Sequence, residues 1–178
     1  MRTLLSICFI ALTVNLAAQE GQLSDRASFL SDQEQAKITA QLGKAFKNAA
    51  LRVEVVTVAD QGGKSSREFA LGLSESLNLY RAGLNPAALI VLSKRERKVD
   101  IVVNPAWEWS LTDEETKLIK REMVNQFRYQ NFYQGLALGI ERLMEQASSL
   151  DFKVEHQSIE EVKAHLTTGK GRLARLVL

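Results

Sequence analysis

The chain has 178 residues, of which 46% are hydrophobic and 25% charged, and its formal net charge is only +2. This composition is typical of one ordinary globular domain, and the small net charge gives no global field that would attract nucleic acid or an anionic membrane. The single cysteine, Cys8, lies in the first 18 residues.

Residues 1–18 have the features of a signal peptide. Arg2 supplies the positive charge, Leu4 to Leu12 form a compact apolar core, and Ala18 ends the segment with a small residue. The apolar run is too short to span a bilayer. We therefore predict cleavage after Ala18 and export to a periplasm or to the extracellular space. The mature chain then contains no cysteine, which excludes disulfides and thiol-based catalysis.

Capping boxes mark the starts of three predicted helices. In each box a Ser or Thr precedes a Glu by three residues, and apolar residues follow at helical spacing. A fourth apolar stripe, from Phe132 to Ala147, predicts one more helix. The three boxes are Ser31 with Glu34, Ser65 with Glu68, and Thr112 with Glu115.

Three apolar or β-branched runs predict strands, at Leu51–Val58, Ala87–Leu92 and Val99–Val103. A helix connects the first two, so a right-handed crossover should make them parallel. A short charged turn connects the last two, which indicates an antiparallel hairpin. We interpret residues 19–24 as a polar lead-in.

This order of elements predicts an α/β fold, a three-layer α/β/α sandwich with a small mixed sheet and helices on both faces. The predicted domain spans residues 19–150. Residues 151–178 form a polar and basic C-terminal extension. Its last ten residues, 169–178, are both basic and apolar, a combination that suits an anionic membrane surface or a solvated chain terminus.

Familiar catalytic motifs are absent from the sequence. It contains no H-E-x-x-H, no G-x-S-x-G and no P-loop. Both histidines, His156 and His165, lie in the C-terminal extension. We therefore do not expect a Ser-His-Asp triad in the main domain.

Oxygen-bearing side chains remain as candidate ligands. The hairpin places Asn85, at the start of its first strand, and Asn104, at the end of its second, at the same end of the sheet, and Asp113 follows closely. Calcium and other hard cations take carboxylate and amide oxygens from loops of this kind. Asp113 has a second interpretation, as an acid favoured in the first turn of a helix.

Two aromatic groups have alternative interpretations. Trp107 and Trp109 follow the last predicted strand, where they either anchor a partner or cover the core at the end of the sheet. Tyr129, Phe132 and Tyr133 are interpreted as helix-packing residues.

Several segments together resemble the TPM domain family, named after a thylakoid-lumen phosphatase, a photosystem repair protein and a receptor modulator. The resemblance runs from about Asp25 to Glu145 and rests on the order of the motifs. These are Asp25–Ser31, Val53–Val58, Ala87–Leu92, the strand that ends at Val103, Leu111–Asp113 and Phe132–Leu136.

The resemblance implies an exported α/β/α domain whose acidic loop positions bind calcium or another divalent cation. Asp25 stands in the family's Asp-x-Ala position and Asp113 in its Leu-Thr-Asp position. The chain departs from the family at two turns, where Asn85-Pro86 replaces Asn-Gly and Asn104-Pro105 replaces a glycine-rich turn. Glycine permits a close backbone approach that these residues do not.

Some members of the family are credited with acid phosphatase activity, and others act in assembly. For this chain we expect a module that binds an envelope protein, with or without a structural divalent cation. The alternative is a metal-assisted acid phosphatase using Asp25 and Asp113.

Overall fold

The computed structural model describes residues 20–79, 85–108 and 110–154. Helices and strands alternate along most of this length. In chain order they are β1 (Leu23–Asp25), α1 (Asp32–Ala49), β2 (Arg52–Val58), α2 (Ser66–Ser76), β3 (Ala87–Ser93), β4 (Lys98–Val103), α3 (Pro105–Glu108), α4 (Asp113–Phe127) and α5 (Phe132–Val154).

The four strands form one mixed sheet in the order β1-β2-β3-β4. β2 runs parallel to β3, with Arg52 opposite Ala87, and β3 pairs antiparallel with β4. Both predicted pairings are confirmed. The extra strand β1 pairs parallel with β2 inside the segment that we interpreted as a polar lead-in. A three-residue strand is too short to show a hydrophobic alternation, which is why the sequence pattern missed it.

Helices cover both faces of the sheet, which confirms the predicted α/β/α sandwich. Val53 and Val55 of β2 belong to the larger core, together with residues of α1, α4 and α5. Val56 and Val58 lie on the other face of the sheet and belong to a smaller core that is covered by α2. The central strands are therefore buried on both sides, as continuous apolar runs predict.

All three predicted capping boxes are present, at Ser31, Ser65 and Thr112. Each hydroxyl accepts the backbone N–H of the Glu three residues later, and that Glu accepts the N–H of the cap residue. The Ser31 backbone amide and hydroxyl lower the pKa of Glu34 below its ordinary value of 4.5. The hydroxyl and backbone amide of Ser65 do the same for the pKa of Glu68.

The outer edge of β4 is blocked by side chains. Asp100 Oδ1 accepts the backbone N–H of Ile101 at 2.9 Å and is 3.0 Å from Lys120 Nζ. The backbone carbonyl oxygen of Ile101 accepts a hydrogen bond from the Arg67 guanidinium at 3.2 Å. The two backbone groups that Ile101 would offer to a further strand are therefore already hydrogen-bonded.

The C-terminal helix α5 continues to Val154, beyond the boundary at residue 150 that we drew from the sequence. It packs tightly on α4, since a Cβ at Gly135 would lie 2.3 Å from the Phe127 ring. The remainder of the predicted extension, residues 155–178, lies outside the described residues. In the described part of the chain, every helix is too short or too polar to cross a lipid bilayer.

Gly21 is required where the chain approaches β2. A Cβ at this position would lie 1.9 Å from the carbonyl oxygen of Val53. We expect Gly21→Ala to destabilise the domain by about 1–3 kcal/mol, the usual cost of overpacking. The measurement is urea unfolding followed by circular dichroism.

Gly72→Ala is the matched control, because nothing lies within 4 Å of a Cβ at this site in α2. It should stabilise the protein by about 0.5–1 kcal/mol, since alanine restricts the unfolded chain and favours helix. Equal effects of the two substitutions would refute the close approach at Gly21.

The two capping glutamates should contribute to the pH dependence of stability. Because the folded pKa of Glu34 and of Glu68 is lowered, their contribution is present above their ordinary pKa of 4.5 and is lost as the pH falls through the folded value. The double variant Glu34→Gln/Glu68→Gln should therefore be less stable than wild type at pH 7, with a smaller difference at pH 3. Urea midpoints at both pH values measure this, with Glu141→Gln as the control outside any capping box.

Candidate functional site

The sheet has two polar ends, which we name by the direction of its parallel strands. The carboxyl end is where β1, β2 and β3 finish, at Asp25, Val58 and Ser93. The amino end is where β2 and β3 begin and where the antiparallel β4 finishes, next to Asn104. The candidate site residues are divided between these ends.

At the amino end, the structure brings Asn85 and Asn104 together as predicted. Asn104 is 1% exposed. Its Oδ1 accepts the backbone N–H of Ala87 at 3.1 Å, and its Nδ2 donates to the carbonyl oxygen of Asn85 at 3.0 Å. Both polar atoms of the Asn104 side chain are thus engaged in tying β4 to the start of β3.

Asp113 is the first residue of α4 and one of three acids in its first turn. The short helix α3 and the turn after it lead from Asn104 to this residue. The position matches the second interpretation of Asp113, an acid that the positive end of the helix dipole favours.

Asp25 lies at the carboxyl end, where it organises the connection to α1. Its Oδ1 accepts from the backbone N–H of Phe29 at 3.1 Å and from the Thr57 hydroxyl at 2.5 Å. Its Oδ2 accepts the N–H of Leu30 at 2.9 Å. Thr57 Oγ1 in turn accepts the N–H of Ala27 at 3.0 Å. These four bonds fold residues 26–30 back onto the end of β2.

The four predicted metal ligands therefore do not form one coordination site. Asp25 is at the carboxyl end, and Asn85, Asn104 and Asp113 are at or near the amino end. Within the described ranges, no three His, Cys, Asp or Glu side chains are placed so that they could hold a metal ion together. Calcium usually takes about six to eight oxygen ligands. The residues present do not fit a shared site for it, and calcium binding stays a prediction.

Of the two tryptophans predicted to contact a partner, Trp107 is 1% exposed and belongs to the larger core. Its backbone N–H donates to the carbonyl oxygen of Asn104. The structure therefore favours the alternative interpretation, in which this residue covers the core at the end of the sheet. Trp109 lies outside the described residues.

The sequence interpretation of Tyr129 was wrong. Phe132 and Tyr133 pack against the larger core as expected. Tyr129, in the turn between α4 and α5, is instead 79% exposed. The signal available in the sequence was its place between the two apolar stripes, in a short polar turn after Arg128.

Tyr129 and Arg128 are exposed in the turn between α4 and α5, close in the chain to a group of rings and cations at the carboxyl end. The Phe29 and Phe132 ring centroids are 4.3 Å apart, and those of Phe127 and Phe132 are 5.8 Å apart. Lys94 Nζ lies 5.5 Å from the centre of the Phe29 ring, and Lys37 Nζ lies 5.5 Å from that of Tyr133. We call this the cation–aromatic surface. It consists of Phe29, Tyr129, Phe132, Tyr133, Lys37, Lys94 and Arg128.

The β3–β4 turn adds positive charge beside this surface. Lys94, Arg95 and Arg97 are exposed there, and Lys94 Nζ donates to the carbonyl oxygen of Ala27 at 3.1 Å. The one acid in the turn, Glu96, accepts the Ser93 hydroxyl, which lowers the pKa of Glu96 below its ordinary value. The carboxyl end thus presents aromatic rings within a mainly cationic border.

Known structures share the fold of this chain. The N-terminal domain of a P. gingivalis protein, solved by NMR, is 24% identical with a TM-score of 0.64, over 79% of this chain and 88% of that one. The BA42 protein of the psychrophilic bacterium Bizionia argentinensis is 21% identical with a TM-score of 0.62, over 68% and 83%. The N-terminal domain of the cg2496 protein of Corynebacterium glutamicum is 14% identical with a TM-score of 0.59, over 73% and 82%.

The shared fold defines a class of small α/β/α domains with a mixed sheet. Comparison with curated proteins gives no match. The TPM domain family matches residues 23–146, most of the chain. The chain belongs to the TPM domain family.

The hydrogen bonds of Asp25 predict a structural role that a matched substitution can test. Asp25→Ala removes the acceptor for two backbone N–H groups and one hydroxyl. Groups left unsatisfied in this way cost about 1–3 kcal/mol, which we expect as the loss in free energy of unfolding. Glu114→Ala, at an exposed position in the first turn of α4, should cost less. A larger loss for Glu114→Ala than for Asp25→Ala in urea unfolding would contradict this assignment.

Proposed function

We propose that this TPM domain is an exported protein-interaction module that contacts an envelope protein through the cation–aromatic surface. The observation that carries the proposal is the exposure of Tyr129, at 79%, beside packed rings and exposed cations. Export is part of the proposal and rests on the signal-peptide features of residues 1–18.

The surface has the composition of a binding site for protein. Tyrosine and arginine are enriched among the residues that contribute most to binding free energy, and Tyr129 adjoins Arg128. The rings behind them are held by the core, since Phe29 and Phe132 pack against it. A partner would therefore meet a surface that needs little ordering on binding, which favours affinity.

The charge of the surface indicates the chemistry of the partner. Lys37, Lys94 and Arg128 are all exposed around the rings. Complementary charges accelerate association and select the partner. We infer a partner that presents acidic side chains around an apolar or aromatic contact, and whose binding weakens as salt rises.

The engagement of Asp25 supports a binding role over catalysis. An acid that acts in phosphoryl transfer must face the reacting phosphate or its metal ion. Asp25 is instead occupied by Phe29, Leu30 and Thr57, at the end of the sheet opposite Asp113. Asp25 and Asp113, which the phosphatase alternative requires to act together, thus lie at opposite ends of the sheet.

The interaction proposal predicts that two substitutions weaken partner binding. Tyr129→Ala and Arg128→Glu should each reduce affinity for an envelope partner by at least about tenfold, which corresponds to about 1.4 kcal/mol. The partner is first captured on immobilised residues 19–178, and its affinity is then measured by calorimetry for each variant.

Lys44→Glu is the matched charge reversal, at an exposed position in the second half of α1, away from this surface. It should leave affinity within about twofold of wild type, because exposed charges distant from an interface contribute little. A partner that binds Tyr129→Ala as tightly as wild type would remove the cation–aromatic surface from the proposal.

The interaction proposal and the phosphatase alternative differ in the enzymatic activity that they predict. We expect residues 19–178 to hydrolyse no generic phosphomonoester between pH 4 and 7.5 with calcium, magnesium or manganese. The calcium prediction is tested by the melting temperature in chelator and in millimolar calcium, because a ligand at a hundred times its Kd adds about 2.7 kcal/mol to the free energy of unfolding. Turnover or a calcium-dependent rise, lost in Asp113→Ala, would restore the alternative.

A further inference from the structure

A second surface lies between α4 and α5, away from the rings at the carboxyl end. Its walls carry Glu115 and Glu122 from α4 and Glu145 from α5. Leu118 and Gln146 also line this surface. We call it the acidic groove. Leu118 is 44% exposed, and it and Tyr129 are the two large hydrophobic side chains exposed in the described part of the chain.

The groove has more negative than positive charge. Arg142 is the single cation in its lining, and its guanidinium lies 2.9 Å from Glu145 and 3.0 Å from Glu122. These two carboxylates raise the pKa of Arg142, which therefore stays protonated at any physiological pH. Glu115 adds a third carboxylate to the lining, where its Oε2 accepts the backbone N–H and the hydroxyl of Thr112. An occupant should combine apolar side chains for Leu118 with positive charge for the glutamates.

The chain itself carries a segment of this chemistry. Residues 169–178 contain three cations, four large apolar side chains and one alanine in ten positions. Leu173, Leu176 and Val177 have the i, i+3, i+4 spacing that groups residues on one side of a helical segment. Arg172 and Arg175 flank them. Amphipathic segments of this pattern bind in grooves between helices.

The segment can reach the groove. Gln146 lies eight residues before the end of α5 at Val154, a distance of about 12 Å along the helix axis. The 14 residues from 155 to 168 connect Val154 to the segment. At about 3.3 Å per residue they can span about 46 Å, several times the distance required.

We propose that residues 169–178 dock in the acidic groove of the same chain. Leu176 and its apolar neighbours cover Leu118, and Arg172 and Arg175 face the glutamates. The proposed contact covers the groove between α4 and α5 and does not involve the cation–aromatic surface.

Cysteine cross-linking tests the contact, because residues 19–178 contain no cysteine of their own. The variant Leu118→Cys/Leu176→Cys is compared with Glu75→Cys/Leu176→Cys, which places the first thiol at an exposed site on α2, on the opposite face of the sheet. A disulfide needs Cα atoms about 4.4–6.8 Å apart. We expect the intramolecular disulfide to form several-fold faster in the Leu118 variant, measured by non-reducing mass spectrometry under mild oxidation.

A second variant tests the role of charge. Adding Arg172→Glu and Arg175→Glu to the Leu118 pair changes only the segment and leaves the described domain intact. It should slow the cross-link to the rate of the Glu75 control, and raised salt should slow the parent pair in the same direction. Circular dichroism confirms that each variant is folded.

Three results would overturn the proposal. Equal rates for the Leu118 and Glu75 pairs would show that the segment does not occupy the groove. Disulfides that join two chains would assign it to a second copy. Equal rates combined with flotation on phosphatidylglycerol vesicles would assign it to an anionic membrane surface.

Discussion

The burial of β2 and β3 on both faces is the constraint on which the rest of the structure depends. Strands covered by helices on either side have no water to satisfy their polar groups, so each such group needs a protein partner. Glu54, in the middle of β2, is held by Arg52 at 2.7 Å and by the backbone N–H of Gln22. In the described part of the chain, no buried side-chain nitrogen or oxygen lacks a hydrogen bond.

This requirement explains why the polar residues at the ends of the sheet are mainly structural. Thr57, the last residue but one of β2, is bonded to Asp25, while Asn104, which directly follows β4, is bonded to Ala87 and Asn85. Residues that suggest ligands in the sequence are used in the fold to close strand ends. The surface available to other molecules is then made of groups that the core does not need, such as Tyr129 and Arg128.

Much of the fold could be predicted because it depends on local patterns. The capping boxes at Ser31, Ser65 and Thr112 specify helix starts within one residue, and the short turn after Ser93 permits only a hairpin. β1 could not be predicted, because its pairing with β2 depends on a close backbone approach at Gly21. An alternation of apolar and polar residues does not reveal such an approach.

The candidate site was less predictable, for a related reason. The sequence showed that Asn85 and Asn104 meet, since a hairpin fixes that geometry. It did not show that Asp25 lies at the other end of the sheet, because that follows from the parallel pairing of the missed strand β1. The exposure of Tyr129 depends on how α4 and α5 turn, which the spacing of apolar residues leaves open.

The blocked edge of β4 has a consequence for how this domain meets other chains. Partners that add a strand to an open sheet recognise the backbone, and the same mode lets sheets polymerise into fibres. Here Arg67 and Asp100 occupy the outward carbonyl and amide of Ile101, so an incoming strand must first break those bonds. These bonds oppose strand addition in the middle of β4, so a concentrated solution of the protein resists edge-to-edge joining of its sheets at this position.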